Sequence, residues 1–205
     1  TLAFLPYGRN VAHWMELARA AGHEVLLAVP MEPHAYPTDD PGPRPLLAAL
    51  APAENAKRLE AALGLAEPAV GIINHMGGKF LANAEQVEPL LATLAEREIL
   101  FIEEGADAAS VAARIAAEQR WPLIAARPLL ESGDFGAASF AARLAAAAAQ
   151  TRKDGRAAVT LEPYPFVLEA LRSLKTRTDA EAIALAPVSA LVPVAPPQGA
   201  TLPRP

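Results

Sequence analysis

Four polar clusters directly follow apolar runs, and each carries groups able to bind a metal, move a proton or orient a ligand. They are Pro30-Met31-Glu32-Pro33, Asn74-His75-Met76-Gly77-Gly78-Lys79-Phe80, Glu103-Glu104 and Glu162-Pro163-Tyr164-Pro165. The second is the most informative. A histidine placed after an apolar strand and before a glycine pair can point into a shared mouth while the backbone turns away, and a neutral imidazole there suits a divalent metal. The competing reading is a histidine hydrogen-bonded within the rim, and local sequence leaves both open. His13, His23 and His34 have weaker cases, as residues of a helix, a strand start and a proline-rich loop.

Glu32 stands between two prolines, which would hold its carboxylate in a fixed direction. Glu103 and Glu104 could form an acid–base pair, but consecutive residues leaving a strand point to opposite faces, so at most one reaches a common mouth. Glu162 is followed by a proline-flanked tyrosine. Its carboxylate could bind metal or shuttle a proton, and Tyr164 could stack on a sugar or cap the core.

The elements that must position these groups alternate along the chain. Apolar runs at 1–5, 23–29, 69–73, 99–102, 122–125, 157–161 and 183–186 read as strands. Helical patterns cover 11–21, 53–65, 83–97, 107–119, 136–150 and 164–175, with Asn10 and Asn83 offering caps and Gln86 completing a capping box with Asn83. Seven strands alternating with six helices imply parallel pairing through right-handed crossovers, hence a barrel or a doubly wound sheet. In a parallel barrel the strand ends converge on one rim, where these clusters would meet. Residues 30–45 hold six prolines and predict a long loop. The stretch 193–205 has no apolar periodicity and reads as an extended, mobile tail after a domain spanning 1–192.

Composition narrows the functional classes. The chain has 205 residues, 52% hydrophobic and 20% charged, which fits a globular fold with its own core. Its net charge is −5 with scattered basic residues, which argues against a nucleic-acid partner. The absence of cysteine removes thiolate chemistry and cysteine-ligated zinc. No apolar run approaches the roughly 20 residues that cross a bilayer. Thr1 to Leu5 already reads as a strand interior, so the natural polypeptide is expected to begin upstream. No glycine-rich phosphate loop follows any strand, which disfavours a nucleotide enzyme on a doubly wound sheet.

Taken in order, the segments LAFLPYG, GHEVLLAVPMEP, NHMGGKF, EPYPFVLEAL and APVSALV resemble the divergent polysaccharide deacetylase family, from Thr1 to about Val192. The resemblance implies an α/β fold, a distorted parallel (β/α) barrel, with about seven strands here and the family's first strand missing. That absent strand would end in paired aspartates supplying a metal ligand. It also implies metal-assisted hydrolysis of acetyl groups on a cell-envelope carbohydrate, a periplasmic location, and a divalent metal, zinc foremost.

On the family pattern His75 matches one metal-binding histidine, and Glu162 stands where a second is expected. Glu162 would then act as substituted ligand or proton shuttle, Glu32 as an orienting catalytic group, and Met31, Asn74, Lys79 and Tyr164 as substrate contacts. Glu103-Glu104-Gly105-Ala106 replaces an expected Asp-Ser-Arg-Thr. These departures point to a degenerate or incomplete site. The alternative implied is a non-catalytic periplasmic barrel that binds glycan or protein.

Overall fold

A computed structural model describes residues 1–66, 68–130, 136–181 and 183–192. Its strands are β1 (Leu2–Phe4), β2 (Val25–Met31), β3 (Gly71–Met76), β4 (Leu100–Glu104), β5 (Leu123–Pro128) and β6 (Ala158–Thr160). All neighbours are parallel, in the order β1-β2-β3-β4-β5-β6. A sheet whose spatial order follows its chain order has no reversal point, so of the two expected architectures the barrel type forms. The sheet is curled into a half-barrel.

The helices are α1 (Val11–Ala20), α2 (Pro52–Leu63), α3 (Gly78–Leu81), α4 (Ala84–Glu96), α5 (Ala112–Gln119), α6 (Ala137–Asp154) and α7 (Pro165–Glu181). Every residue of β2 is buried, as its unbroken apolar run requires of a strand covered on both faces. Alternate residues serve different cores. Val25, Leu27, Val29 and Met31 join Ile72 and Phe101 in a cluster with Met15 of α1, Leu59 of α2, Leu91 and Leu94 of α4, and Ile115 of α5. Leu26 and Ala28 join Ile73, Ile102, Ile124 and Ala126 on the opposite, concave face. At about 1.5–3 kcal/mol for each large aliphatic or aromatic side chain removed from water, the helix-covered face holds the sheet together. The concave face, built from fewer and smaller side chains, contributes less.

A smaller cluster of Leu129, Phe140 and Val167 joins α6 and α7 to the end of the sheet. The seventh expected strand does not form: 183–187 has no regular structure and is followed by a 3-10 turn, Val188–Leu191. Two of the four residues at 183–186 are alanines, poor strand formers, and Leu185 stays exposed, so no burial fixes an extended backbone there. Instead Val188, Leu191 and Val192 lie against the concave cluster. Glu24 anchors this turn, accepting hydrogen bonds from the Ser189 backbone N–H at 3.2 Å and from the Ser189 and Thr1 hydroxyls. The proline-rich tail at 193–205 lies outside the described residues.

Two further expectations change. Helix α5 starts at Ala112 rather than 107 because Asp107 and Ser110 fold the preceding segment onto itself. Asp107 Oδ1 accepts from the Ala109 N–H, its carbonyl from the Ser110 N–H, and Ser110 Oγ from the Ala112 N–H. Such local bonds compete with the helix ladder. Asn83 does cap α4, accepting from Glu85 N–H at 3.0 Å, but Gln86 does not complete a capping box. Buried Gln86 donates to the carbonyls of Ala48 and Leu50 and accepts from Asn55, binding the loop before α2 to α4.

Candidate functional site

Because all strands run one way, the segments that follow them share the carboxyl-terminal rim. Glu32, at the end of β2, is buried there, and every polar group it has is engaged. One carboxylate oxygen accepts from the Ala48 N–H at 2.6 Å and the other from Lys79 Nζ at 2.6 Å. Its N–H donates to Leu46, and its carbonyl accepts from the Lys79 and Phe80 N–H groups that open α3. Glu32 thus ties the proline-rich loop to the turn after β3. Lys79, half exposed, neutralises it from the solvent side. Met31 is fully buried in the helix-side core, so its side chain meets the core and not the rim.

The turn after β3 is shaped by side chain and backbone together. Asn74 is buried, with its amide donating to the carbonyls of Met76 (2.7 Å) and Glu104 (3.2 Å) and accepting from the Glu104 N–H (2.7 Å). The β3–β4 pairing ends at Ile73 and Ile102, and Asn74 continues it with its side chain. With these bonds made, Asn74 holds the rim together from beneath. His75 pairs in register with Pro30 and, two residues beyond Ile73, follows that residue's alternation onto the concave face, where it is half buried. Met76 then takes φ 60° and Gly77 φ 102°, turning the chain out of the sheet. A Cβ on Gly77 would lie 2.9 Å from Met31 Cβ, so this left-handed turn lies directly over the core.

Gly78 explains a pairing that sequence did not suggest. A Cβ at this position would stand 2.7 Å from the His34 ring; with none, the imidazole lies over the Gly78 backbone. There His34 Nε2 meets Asp107 Oδ2 at 2.7 Å, joining the loop after β2 to the loop after β4 across the turn after β3. The hydrogen bond from Ala109 N–H, then the His34 contact, hold the Asp107 carboxyl below its ordinary range. His34 and Asp107 are 73 residues apart, and neither has a local motif.

The two consecutive glutamates separate as expected of a strand. Glu103 is buried and accepts from Ser110 Oγ at 2.5 Å, and burial pushes its carboxyl above the ordinary value. Glu104 is half buried on the other face, in line with Ile102.

Glu162, past the end of β6, is exposed, and its carbonyl accepts the Tyr164 N–H at 2.8 Å. Tyr164 is half buried and stacks on Phe166, with ring centroids 5.7 Å apart and planes within 6°. His75 and Glu162 stand at the same end of the sheet, separated by three strand intervals of about 4.8 Å each along the curve. Among the described residues no group of three or more His, Asp or Glu side chains is placed to hold a metal ion. A zinc site ordinarily takes three protein ligands and one open position, so His75 and Glu162 do not by themselves fit the metal.

Comparison with known proteins agrees with this architecture. An uncharacterized protein of Haemophilus influenzae is 28% identical over 175 residues, covering 84% of this chain and 61% of that relative, so the chain spans about three-fifths of its length. The crystal structure of an uncharacterized protein from Agrobacterium tumefaciens C58 superposes with a TM-score of 0.86 at 32% identity, covering 93% of this chain and 77% of the other. Residues 1–192 match the divergent polysaccharide deacetylase family from end to end of the strand series described above, and the chain belongs to that family.

Proposed function

We propose that the protein removes acetyl groups by hydrolysis from a cell-envelope carbohydrate, in a periplasmic setting, with the carboxyl-terminal rim as its reactive face. The observation that carries this reading is the family match across residues 1–192, which includes the His75-bearing turn at the rim. Zinc is the metal that the family implies, with His75 and Glu162 as its candidate donors here. Since the pair falls short of a zinc site, the reading gives this chain's own groups orientation and proton transfer. His75, Glu162, Lys79 and Tyr164 have side chains at the rim where a sugar would lie. Glu32, Asn74 and Met31 position the turns from below, through the Lys79 pair, the Glu104 backbone and the floor under Gly77.

Acetate release from an N-acetylated chitooligosaccharide and from an O-acetylated glycan, with and without added zinc, tests the proposal. Activity is expected, and His75→Ala is expected to lower it by about 10²-fold or more, the usual scale for a group at the reacting centre. No acetate from either substrate, with or without zinc, overturns it.

The second reading is a barrel that binds glycan or protein without chemistry. It is favoured by the exposed carboxylate at Glu162 and by the lack of a three-donor group among the described residues. Calorimetric binding of the same glycans without acetate release would establish glycan binding in place of hydrolysis.

A further inference from the structure

We propose that His34, held by Asp107 over Gly78, is a proton-transferring catalytic residue of the rim, with Asp107 as its positioning residue. The inference rests on the hydrolytic reading above and names the group that moves the proton.

Three observations converge on it. First, both oxygens of the Asp107 carboxylate are committed: Oδ1 accepts from the Ala109 N–H at 2.9 Å, and Oδ2 meets His34 Nε2 at 2.7 Å. A carboxylate fixed by the backbone at one oxygen holds an imidazole at the other in one orientation and one tautomer. Nε2 carries the hydrogen, and Nδ1 keeps its lone pair. Second, Nδ1 has no hydrogen-bond partner among the described residues, and the His34 side chain is 59% exposed, so its basic nitrogen is open to a ligand.

Third, the dyad lies over Gly78, three residues after His75, where a Cβ would stand 2.7 Å from the His34 ring. An ordinary surface ion pair contributes little and needs no such accommodation. Two buried carboxylates near this rim are less free to act. Glu32 is closed off by Lys79 and Ala48, and Glu103 is turned into the helix layer against Ser110.

The step balances with water as the only co-reactant. His34 Nδ1 takes a proton from water as the water oxygen bonds to the acetyl carbon. The imidazolium, stabilised by Asp107, returns that proton to the departing nitrogen or oxygen as its bond to carbon breaks. Acetic acid and the free amine or alcohol leave, the acid then gives its proton to the amine or to solvent to become acetate, and His34 is neutral again.

Two probes separate this inference from the carbohydrate reading: an N-acetylated chitooligosaccharide, and 4-nitrophenyl acetate, an activated ester that an imidazole base can cleave without sugar recognition. For the wild-type chain, turnover of both is expected. His34→Gln is expected to lower kcat on each by about 10²-fold or more with KM held within about twofold, and Asp107→Asn by about tenfold with KM likewise held. Thermal melts of the variants should match the wild type. Retention of about a third or more of kcat by folded His34→Gln overturns the inference. His34-dependent turnover of 4-nitrophenyl acetate without cleavage of the oligosaccharide supports the dyad and counts against the carbohydrate reading. Turnover of neither probe overturns the dyad, and overturns the carbohydrate reading too when the O-acetylated glycan also yields no acetate.

Discussion

Replacing Asn74 by alanine should loosen the rim by an amount that the structure sets. The side chain makes three hydrogen bonds, two across to the Glu104 backbone and one to the Met76 carbonyl. Met76 is 40% exposed, so its carbonyl can turn to water, and the loss falls on the two cross-strand bonds. At about 1 kcal/mol for each bond, and somewhat more where a half-buried Glu104 group is left unpaired, the cost is about 2–3 kcal/mol. In a domain of this size that lowers the melting temperature by roughly 4–12 °C. Urea unfolding followed by far-ultraviolet circular dichroism measures it. Asn74→Asp should cost at least as much, because a carboxylate keeps the bond from Glu104 N–H but can donate to neither carbonyl. A loss below about 0.5 kcal/mol for Asn74→Ala would refute the argument that this amide extends the β3–β4 ladder.

Burial raises the Glu103 carboxyl above its ordinary 4.5, so its stabilising contribution is complete below that value and is lost as pH rises through the raised one. Glu103→Gln, which can still accept from Ser110, should therefore raise the urea midpoint at neutral pH and flatten its decline above 4.5; an unchanged pH profile would contradict the assignment. Gly77→Ala meets both a φ of 102° and Met31 Cβ at 2.9 Å, and should cost about 1–3 kcal/mol in the same unfolding assay. Gly78→Ala should displace His34 and break its contact with Asp107. A rise of the Asp107 carboxyl toward its ordinary range, followed by NMR, would report it, with only a small change in stability. Lys79→Met leaves the buried Glu32 carboxylate with the Ala48 N–H alone, and should cost about 1–2 kcal/mol, less than a fully buried pair because Lys79 is half exposed.

Much of the architecture was readable because local pattern and tertiary role coincide. The apolar run of β2 demanded cover on both faces, and Gly22, at φ 83°, ends α1 where its sequence placed a stop. Proline density also marked the loop after β2. The strand expected at 183–186 failed because a short apolar run specifies a strand only where neighbours can bury it, and Leu185 finds no such cover. Gln86 fits a capping box by spacing alone, but three polar partners in the loop before α2 and in α2 itself bind it more fully.

At the rim, sequence located the clusters but not the fate of each side chain. Glu32 looks like an oriented loop carboxylate until Ala48 and Lys79 close over it. His34 and Asp107 could not be joined in advance, since their meeting depends on a missing side chain at Gly78, in a third segment. Proline and glycine thus mark where the backbone bends, while polar pairing is decided by chain segments far apart in sequence.

The division of each strand between two cores has an evolutionary corollary. Odd-numbered residues of β2, such as Leu27 and Val29, answer to the helices, while Leu26 and Ala28 answer to the concave side of the sheet, against Val188, Leu191 and Val192. A substitution that reshapes the trough therefore needs no compensating change among the helices, and a repacked helix layer leaves the trough untouched. Two selective pressures, one on each layer, can act on adjacent codons almost independently, so one face of the sheet is free to change while the other keeps the scaffold in register.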